Sequence, residues 1–157
     1  MNDHEKWMRE AIRLSRENVR NNLGGPFGAV IVRDNQLVAT GTNLVTTTND
    51  PTAHAEVVAV RATCAVLQTF ELRDCVLYTS CEPCPMCLGA IYWARLEAVY
   101  YGNTRADAAD AGFDDLHIYE ELALPILQRN LPMHGLLRDE ALNAFADWQV
   151  AEERVVY

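Results

Sequence analysis

The stretch that decides the fold runs from Tyr78 to Arg95 and spells Y-T-S-C-E-P-C-P-M-C-L-G-A-I-Y-W-A-R. Residues 75–79 are mostly apolar and predict a short buried strand, while Pro83 predicts the start of a helix that continues to about Arg95. A further strand is expected at residues 97–101. This order of strand, helix and strand favours two parallel strands joined by a helical crossover, and therefore an α/β fold.

The residues before this stretch predict two helices and a hairpin. The predicted elements are a helix from Asn2 to about residue 21, strands at residues 27–32 and 37–42, and a helix at residues 53–67. Asp34-Asn35 lies between the two strands and is typical of a tight hairpin turn. Asp50 or Thr52 is expected to cap the second helix, with Pro51 in its first turn.

The residues after residue 103 are expected to be mostly helical. Residues 104–128 predict helix with breaks at Gly112 and Pro125, residues 133–137 an edge strand, and residues 139–153 a closing helix. No internal repeat or linker divides the sequence. We therefore expect one domain over residues 1–157.

Composition limits the classes of protein to which the chain can belong. It has 157 residues, of which 50% are hydrophobic and 22% charged, and a net charge of −9. These values exclude disordered, collagen-like and coiled-coil proteins. Apolar runs are too short for a membrane span and no leader sequence is recognisable, so a soluble, cytoplasmic protein is expected. Residues 102–157 hold 4 basic and 11 acidic side chains, so neither nucleic acid nor membrane is an expected partner.

One histidine and two cysteines predict a metal site. His54 begins one predicted helix, and Cys84 and Cys87 lie three residues apart at the start of the next. Nitrogen and thiolate ligands suit Zn²⁺, and three protein ligands leave a fourth position for water. Glu56 is two residues from His54 and is placed to act as a general acid and base on that water.

Other interpretations of these residues remain open. His54 alone could be a core histidine, and Cys84 with Cys87 could be a thiol pair or half of a structural zinc site. A non-catalytic zinc module would need a fourth protein ligand, for which Cys81 is the candidate. An iron–sulfur site is not expected, because no further cysteine follows at the required spacing. Cys64 and Cys75 are expected in the core.

H-A-E at residues 54–56 and P-C-P-M-C at residues 83–87 resemble the signature of zinc-dependent nucleobase deaminases, the cytidine/deoxycytidylate deaminase superfamily. The resemblance implies a three-layer α/β/α sandwich with a five-stranded mixed sheet and one zinc ion per chain. It also implies hydrolytic deamination by a zinc-bound hydroxide, with Glu56 as proton shuttle.

Further segments resemble the bacterial guanine deaminases of this superfamily. They are G-G-P-F-G-A-V (24–30), N-D-P-T-A-H-A-E (49–56), D-A-A-D-A-G-F-D-D (107–115) and the terminal tyrosine. The resemblance implies guanine as the substrate and xanthine and ammonia as the products. It places base recognition on six residues: Asn43, Ala55, Asp115, Asp114, Phe27 and Tyr157.

Each of these side chains also has a simpler interpretation. Asn43 could be a turn residue, Asp115 a helix cap before Leu116, Phe27 a core residue and Tyr157 a frayed end. An Asn amide suits the O6 and N7 acceptors of guanine, and a carboxylate suits its ring N–H donors. A buried polar edge left unpaired costs about 1–3 kcal/mol, which would reject other bases.

The resemblance also implies a homodimer in which residues 139–157 of each subunit cover the partner's site. One alternative within the superfamily is another small nucleobase or nucleoside deaminase, and a second is a tRNA adenosine deaminase, which forms inosine from adenosine and shares the zinc motif. Such an enzyme needs a cationic surface for an anticodon loop, so the acidic C-terminal third and G-F-D-D at residues 112–115 argue against it.

Overall fold

A computed structural model describes residues 3–157, which form two compact units that meet in sequence after Leu116. In chain order the elements are α1 (Asp3–Arg20), β1 (Gly28–Arg33), β2 (Gln36–Thr42), α2 (Val45–Thr48), α3 (Ala55–Leu67), β3 (Cys75–Cys81), α4 (Pro85–Ala94), β4 (Ala98–Asn103), α5 (Arg105–Asp110), α6 (Leu116–Ala123), a 3-10 turn (Ile126–Gln128) and α7 (Arg138–Val150). The helix start predicted at Asn2 lies outside the described residues. None of the helices in residues 3–157 is both long and apolar enough to cross a membrane.

The sheet of the described residues has four strands in the order β2-β1-β3-β4. β1 runs antiparallel to β2 and β3, whereas β3 and β4 are parallel and joined through α4. The predicted mixed sheet and helical crossover are thus confirmed, but the prediction of a fifth strand was wrong. Residues 133–137 form no strand, because Pro132 removes a backbone donor beside them and Gly135 has no side chain to pack.

The β1–β2 hairpin forms where the sequence predicted it. Asp34 and Asn35 both have positive φ, 50° and 58°, which is the backbone of a type I′ turn. Arg33 and Gln36 face each other across this turn. Asp and Asn tolerate this conformation better than other residues with a side chain, so the dipeptide sets the register of the hairpin.

The sheet of the first unit lies between α1 and the pair α3 and α4. Successive side chains of β1 point to opposite faces, as strand geometry requires. Ala29 and Ile31 pack in a core cluster with residues of α3 and α4. Val30 and Val32 pack in a second cluster with Trp7 of α1. The first unit therefore has the expected α/β/α layers.

Helices α3 and α4 each begin two residues later than predicted. His54 and Cys84 are their N-cap residues, both with extended backbone, and Pro85 rather than Pro83 is in the first turn of α4. Asp50 does not cap α3, because its Oδ1 accepts hydrogen bonds from the backbone and hydroxyl of Thr52 instead. The later starts place a histidine and a cysteine directly at the two helix N-termini.

Residues 104–128 are helical with breaks near Gly112 and Pro125, as predicted. Gly112 has φ of 91°, a conformation that favours glycine. α7 matches the predicted closing helix within three residues at its C-terminal end. The second unit, residues 117–157, is described throughout, and none of its residues is buried.

Candidate metal centre

His54, Cys84 and Cys87 form a compact group of metal-ligand atoms. Nδ1 of His54 lies 3.5 Å from the Sγ atoms of both cysteines. One ligand atom of each residue lies within 4.8 Å of the other two. Cys87 is buried and the other two residues are half-buried. The structure therefore brings together the three residues that the sequence predicted as metal ligands.

The start of each helix explains why these side chains meet. As N-cap residues, His54 and Cys84 have extended backbone, so their side chains project beside the first turn of α3 and α4. Cys87 is the third residue of α4 and lies on the same side as Cys84. The positive end of the helix dipole also favours the thiolate form of cysteine.

The geometry of the group fits a tetrahedral zinc ion. Ligands at about 2.0–2.3 Å from zinc lie about 3.5–3.8 Å from one another in a tetrahedral arrangement. The two distances of 3.5 Å from His54 Nδ1 to the cysteine Sγ atoms lie within this range. A set of one imidazole and two thiols also has the ligand chemistry that zinc prefers.

The two thiols share their protons unequally. A side-chain hydrogen bond from Cys87 lowers the pKa of Cys84 to about 4, and His54 assists. The same hydrogen bond and burial raise the pKa of Cys87 above its usual value. A metal that binds both sulfurs must displace the proton of Cys87.

Glu56 lies beside this group and is almost completely buried, with 5% of its surface exposed. Its Oε2 accepts a hydrogen bond from Cys87 Sγ at 3.5 Å, and its Oε1 accepts one from the hydroxyl of Thr79 at 3.2 Å. Burial raises the pKa of the Glu56 carboxyl. A carboxyl with a raised pKa can both take up and release a proton, as a general acid and base must.

Asn43 is buried at the end of β2 and is held by its neighbours. Its Oδ1 accepts hydrogen bonds from the backbone N–H of Gly25 at 3.4 Å and of Val45 at 3.3 Å. Its Nδ2 makes no hydrogen bond within residues 3–157. The next residue, Leu44, donates its N–H to Ala53 O at 2.9 Å, immediately before His54. Asn43 is thus fixed close to the metal ligands with a free amide donor.

Phe27 and the 113–115 segment lie together near the metal ligands. The rings of Phe27 and Phe113 meet edge to face with centroids 5.0 Å apart. Asp114 accepts the N–H of Leu116 at 2.9 Å, so the capping role considered for Asp115 belongs to Asp114. Burial and the nearby Cys84 raise the pKa of Asp115. Asp115 also interacts electrostatically with His54 and therefore lies near the metal site.

Ala55 is fully buried between His54 and Glu56 at the start of α3. Strand β2 approaches this point closely, because a Cβ on Gly41 would lie 2.1 Å from the Ala55 carbonyl oxygen. A glycine at this position is therefore what allows β2 to pack against the helix that carries His54. Tyr157, in the second unit, is 67% exposed.

The remaining cysteines do not join the group of ligands. Cys81 is buried, and its Sγ donates a hydrogen bond to Thr104 O at 3.6 Å. It is absent from the group of ligand atoms found in residues 3–157, so it is not the fourth ligand of a structural zinc module. Cys75 is buried in the core as expected, whereas Cys64 is only partly buried against it.

Two residues that contact the site were not predicted from the sequence. Thr79 is buried on β3 and contacts Glu56, and Phe113 contacts Phe27. One feature of the sequence could have indicated a role for Thr79: a hydroxyl on a buried strand, two residues before Cys81, needs a polar partner. No such feature indicates Phe113, because only the three-dimensional structure brings it to Phe27.

Comparison with known proteins agrees with this geometry. Residues 1–103 match the family model of the cytidine and deoxycytidylate deaminase zinc-binding region. Guanine deaminase of Bacillus subtilis is 54% identical over 147 residues, which cover 94% of each chain. The crystal structure of a Bacillus subtilis guanine deaminase superposes with a TM-score of 0.96 at 52% identity, covering 100% of this chain and 99% of that one.

A second class of relative is less similar. The tRNA-specific adenosine deaminase of Bacillus subtilis is 36% identical over 102 residues, 65% of this chain and 63% of that protein. Its match omits about a third of each protein. The family match over residues 1–103, supported by the full-length similarity to guanine deaminase, shows that the chain belongs to the zinc-binding cytidine and deoxycytidylate deaminase family.

Proposed function

We propose that the protein is a zinc-dependent guanine deaminase, which converts guanine and water to xanthine and ammonia. The observation that carries this proposal is the burial of Glu56 beside His54, Cys84 and Cys87. Similarity to guanine deaminase over 94% of the chain supports the choice of substrate. In the reaction the bond from C2 to the amino nitrogen breaks, and an oxygen atom from water takes the place of that nitrogen.

His54, Cys84 and Cys87 would hold one zinc ion per chain. Bound zinc lowers the pKa of water at the open position, so that hydroxide becomes available near neutral pH. The partial exposure of His54 and Cys84 supports this role, because water and a small substrate can reach the ligands from one side. With three protein ligands, the fourth position is left for the reactant, as in other catalytic zinc sites.

Glu56 would move the protons of the reaction. Its carboxyl takes a proton from water, passes it to a ring nitrogen of the base, and then transfers a second proton to the departing amino group. Burial raises the pKa of the Glu56 carboxyl, which supports this cycle because the carboxyl then holds a proton more readily and can act as an acid as well as a base. The hydroxyl of Thr79 holds one carboxylate oxygen in place.

The base would be recognised by Asn43 and Asp115 and enclosed by Phe27. The free Nδ2 of Asn43 can donate to the acceptors of guanine, and Asp115 can accept from its ring N–H groups. Asp114 already accepts the N–H of Leu116, which favours Asp115 as the base contact. Ala55, buried between His54 and Glu56, would contribute to the base-binding site beside the metal ligands.

We propose further that residues 1–157 function as one domain within a homodimer, in which residues 139–157 exchange between subunits. The second unit has no buried residue, although all of it is described. Phe145, Trp148 and Val150 are exposed by 68%, 44% and 79%. An apolar surface of this kind favours docking against another chain. Tyr157 would then cover the partner's site.

The five free thiols support a reducing compartment, and we place the protein in the cytoplasm. Oxidation of the two thiol ligands would remove the zinc site. Cell fractionation checks this placement, and recovery from an oxidising compartment would contradict it.

A substrate panel tests the proposed function. Zinc-loaded protein is incubated separately with guanine, guanosine, adenine, cytosine and a tRNA anticodon stem-loop, and released ammonia is measured. We expect turnover of guanine and formation of xanthine. Inosine formation in the RNA without turnover of guanine would overturn the proposal and favour a tRNA adenosine deaminase.

A further inference from the structure

We propose that Asn18 is a positioning residue for the purine pocket, because its side-chain amide ties Asn43 to the segment that leads into Phe27. The inference rests on the proposed function, in which these two residues contact the base. Asn18 itself lies in the last turn of α1 and need not touch the substrate.

One nitrogen atom of Asn18 connects two separate segments of the chain. Its Nδ2 donates to Gly25 O and to Asn43 O, both at 2.8 Å. Asn18 is 2% exposed, so water does not compete for these hydrogen bonds. Both hydrogens of the amide are therefore engaged, one with the Gly25 segment and one with the end of β2.

The orientation of the Asn18 amide is fixed by these contacts. A flipped amide would place its oxygen against the carbonyl oxygens of Gly25 and Asn43, which would repel it. In the orientation observed, Oδ1 is buried and accepts no hydrogen bond from any residue of the described part of the chain. A buried acceptor without a partner costs free energy. The two hydrogen bonds that Asn18 Nδ2 donates must therefore offset the cost of its unpaired Oδ1.

The backbone packing around Asn18 leaves little freedom. A Cβ on Gly24 would lie 2.1 Å from Asn43 O and 3.2 Å from Asn18 Nδ2, so the loop and the end of β2 are in direct contact. Gly25 N–H donates to Asn43 Oδ1, and Asn43 N–H donates to Phe27 O at 3.2 Å. Asn18 lies at the centre of this network.

Within residues 3–157, the side chain of Asn18 makes no hydrogen bond to the metal ligands. Leu44, the residue after Asn43, hydrogen-bonds Ala53 O, which is next to His54. Loss of the Asn18 amide would release Asn43 and the loop while leaving His54, Cys84, Cys87 and Glu56 in place. Base binding should therefore weaken more than the chemical step.

Two substitutions at Asn18 and one matched control test the inference. Asn18→Leu keeps the number and branching of the side-chain heavy atoms and removes both donors, whereas Asn18→Ser keeps one shorter donor. Ser15→Ala is the control, since Ser15 is also buried on α1 and its hydroxyl bonds only Ile12 O within the helix. For each variant we would measure zinc content, thermal unfolding, and kcat and KM for guanine.

We expect the KM for guanine to rise at least tenfold in Asn18→Leu and at least threefold in Asn18→Ser. In both variants kcat should stay within threefold of wild type and zinc content at one per chain. Ser15→Ala should lower the unfolding temperature without changing KM.

If Asn18→Leu does not fold, the Asn18→Ser result decides the question. An unchanged KM in the folded variants, or an equal rise in Ser15→Ala, would overturn this inference alone. Absence of guanine turnover in the wild-type protein would overturn the proposed function and this inference with it.

Discussion

Replacement of Thr79 by Val tests whether the position of Glu56 matters for the reaction. Val has the shape of Thr without the hydroxyl, and Thr79 is 1% exposed, so the change removes one buried hydrogen bond and little else. The hydroxyl donates to Oε1 of Glu56 at 3.2 Å, which is long for this type of hydrogen bond. We therefore assign it about 1–1.5 kcal/mol, the upper part of the range for an ordinary hydrogen bond and below the range for a charged acceptor.

That free energy corresponds to a loss of about five- to twelvefold in kcat, since about 1.4 kcal/mol is tenfold in rate. KM should change little, because Thr79 is not proposed to contact the base. Steady-state assays of xanthine formation would measure both constants, together with zinc content.

Thr63→Val is the matched control for Thr79→Val. Thr63 is fully buried, and its hydroxyl donates to Ala59 O within α3 at 2.8 Å. Its replacement should reduce stability by about 1 kcal/mol and leave kcat within twofold. Wild-type kcat in Thr79→Val, or an equal loss of kcat in Thr63→Val, would refute the reasoning.

Three further predictions concern the metal, a helix cap and the C-terminal end. Hydrogen bonding and burial raise the pKa of Cys87, and its proton must leave when metal binds, so the apparent zinc affinity should rise with pH. Competition with a chelator at several pH values measures this affinity. An affinity that does not change with pH would contradict the prediction. Thr104 holds the pKa of Asp107 below its ordinary value in the capping box of α5. The stabilisation of the folded protein by Asp107 is therefore present above the ordinary pKa of Asp107 and is lost as the pH falls through its lowered pKa. Thr104→Ala should lower the urea midpoint of unfolding at pH 7, and the difference from wild type should be smaller in acid. Deletion of residues 155–157 should reduce kcat/KM for guanine by about tenfold, as for a lost aromatic contact, and unchanged kinetics would exclude a role for Tyr157.

Local sequence patterns are enough to predict the elements of the first unit except α2, which lies in a stretch that the sequence indicates to be a polar loop. The Asp34-Asn35 turn sets the hairpin, and the continuous burial of residues 28–32 on β1 follows from a run of apolar residues. The starts of α3 and α4 were misplaced because Pro51 and Pro83 suggested earlier first turns. His54 and Cys84 are unusual N-cap residues, and propensity alone does not predict them.

The prediction of a fifth strand was wrong for a different reason. The prediction at residues 133–137 rested on apolar residues, but Leu136 is 83% exposed and the segment forms no strand. Short apolar runs predict strands poorly unless a partner strand is available.

The metal ligands could be predicted from sequence because they lie in two short motifs. Residues that support the site through tertiary contacts could not. Thr79 and Asn18 are ordinary polar residues in the sequence, and their roles appear only when β3 lies against α3 and the end of α1 lies against the loop at Gly25.

In the proposed reaction Glu56 shuttles protons beside a zinc ion held by His54, Cys84 and Cys87. The most direct measurement compares zinc content and guanine turnover in wild type and Glu56→Gln, a variant that keeps the shape of the side chain. We predict one zinc ion per chain in both and a fall in kcat of about 10²–10⁴-fold in the variant. Loss of zinc from Glu56→Gln, or turnover within a few fold of wild type, would contradict the account.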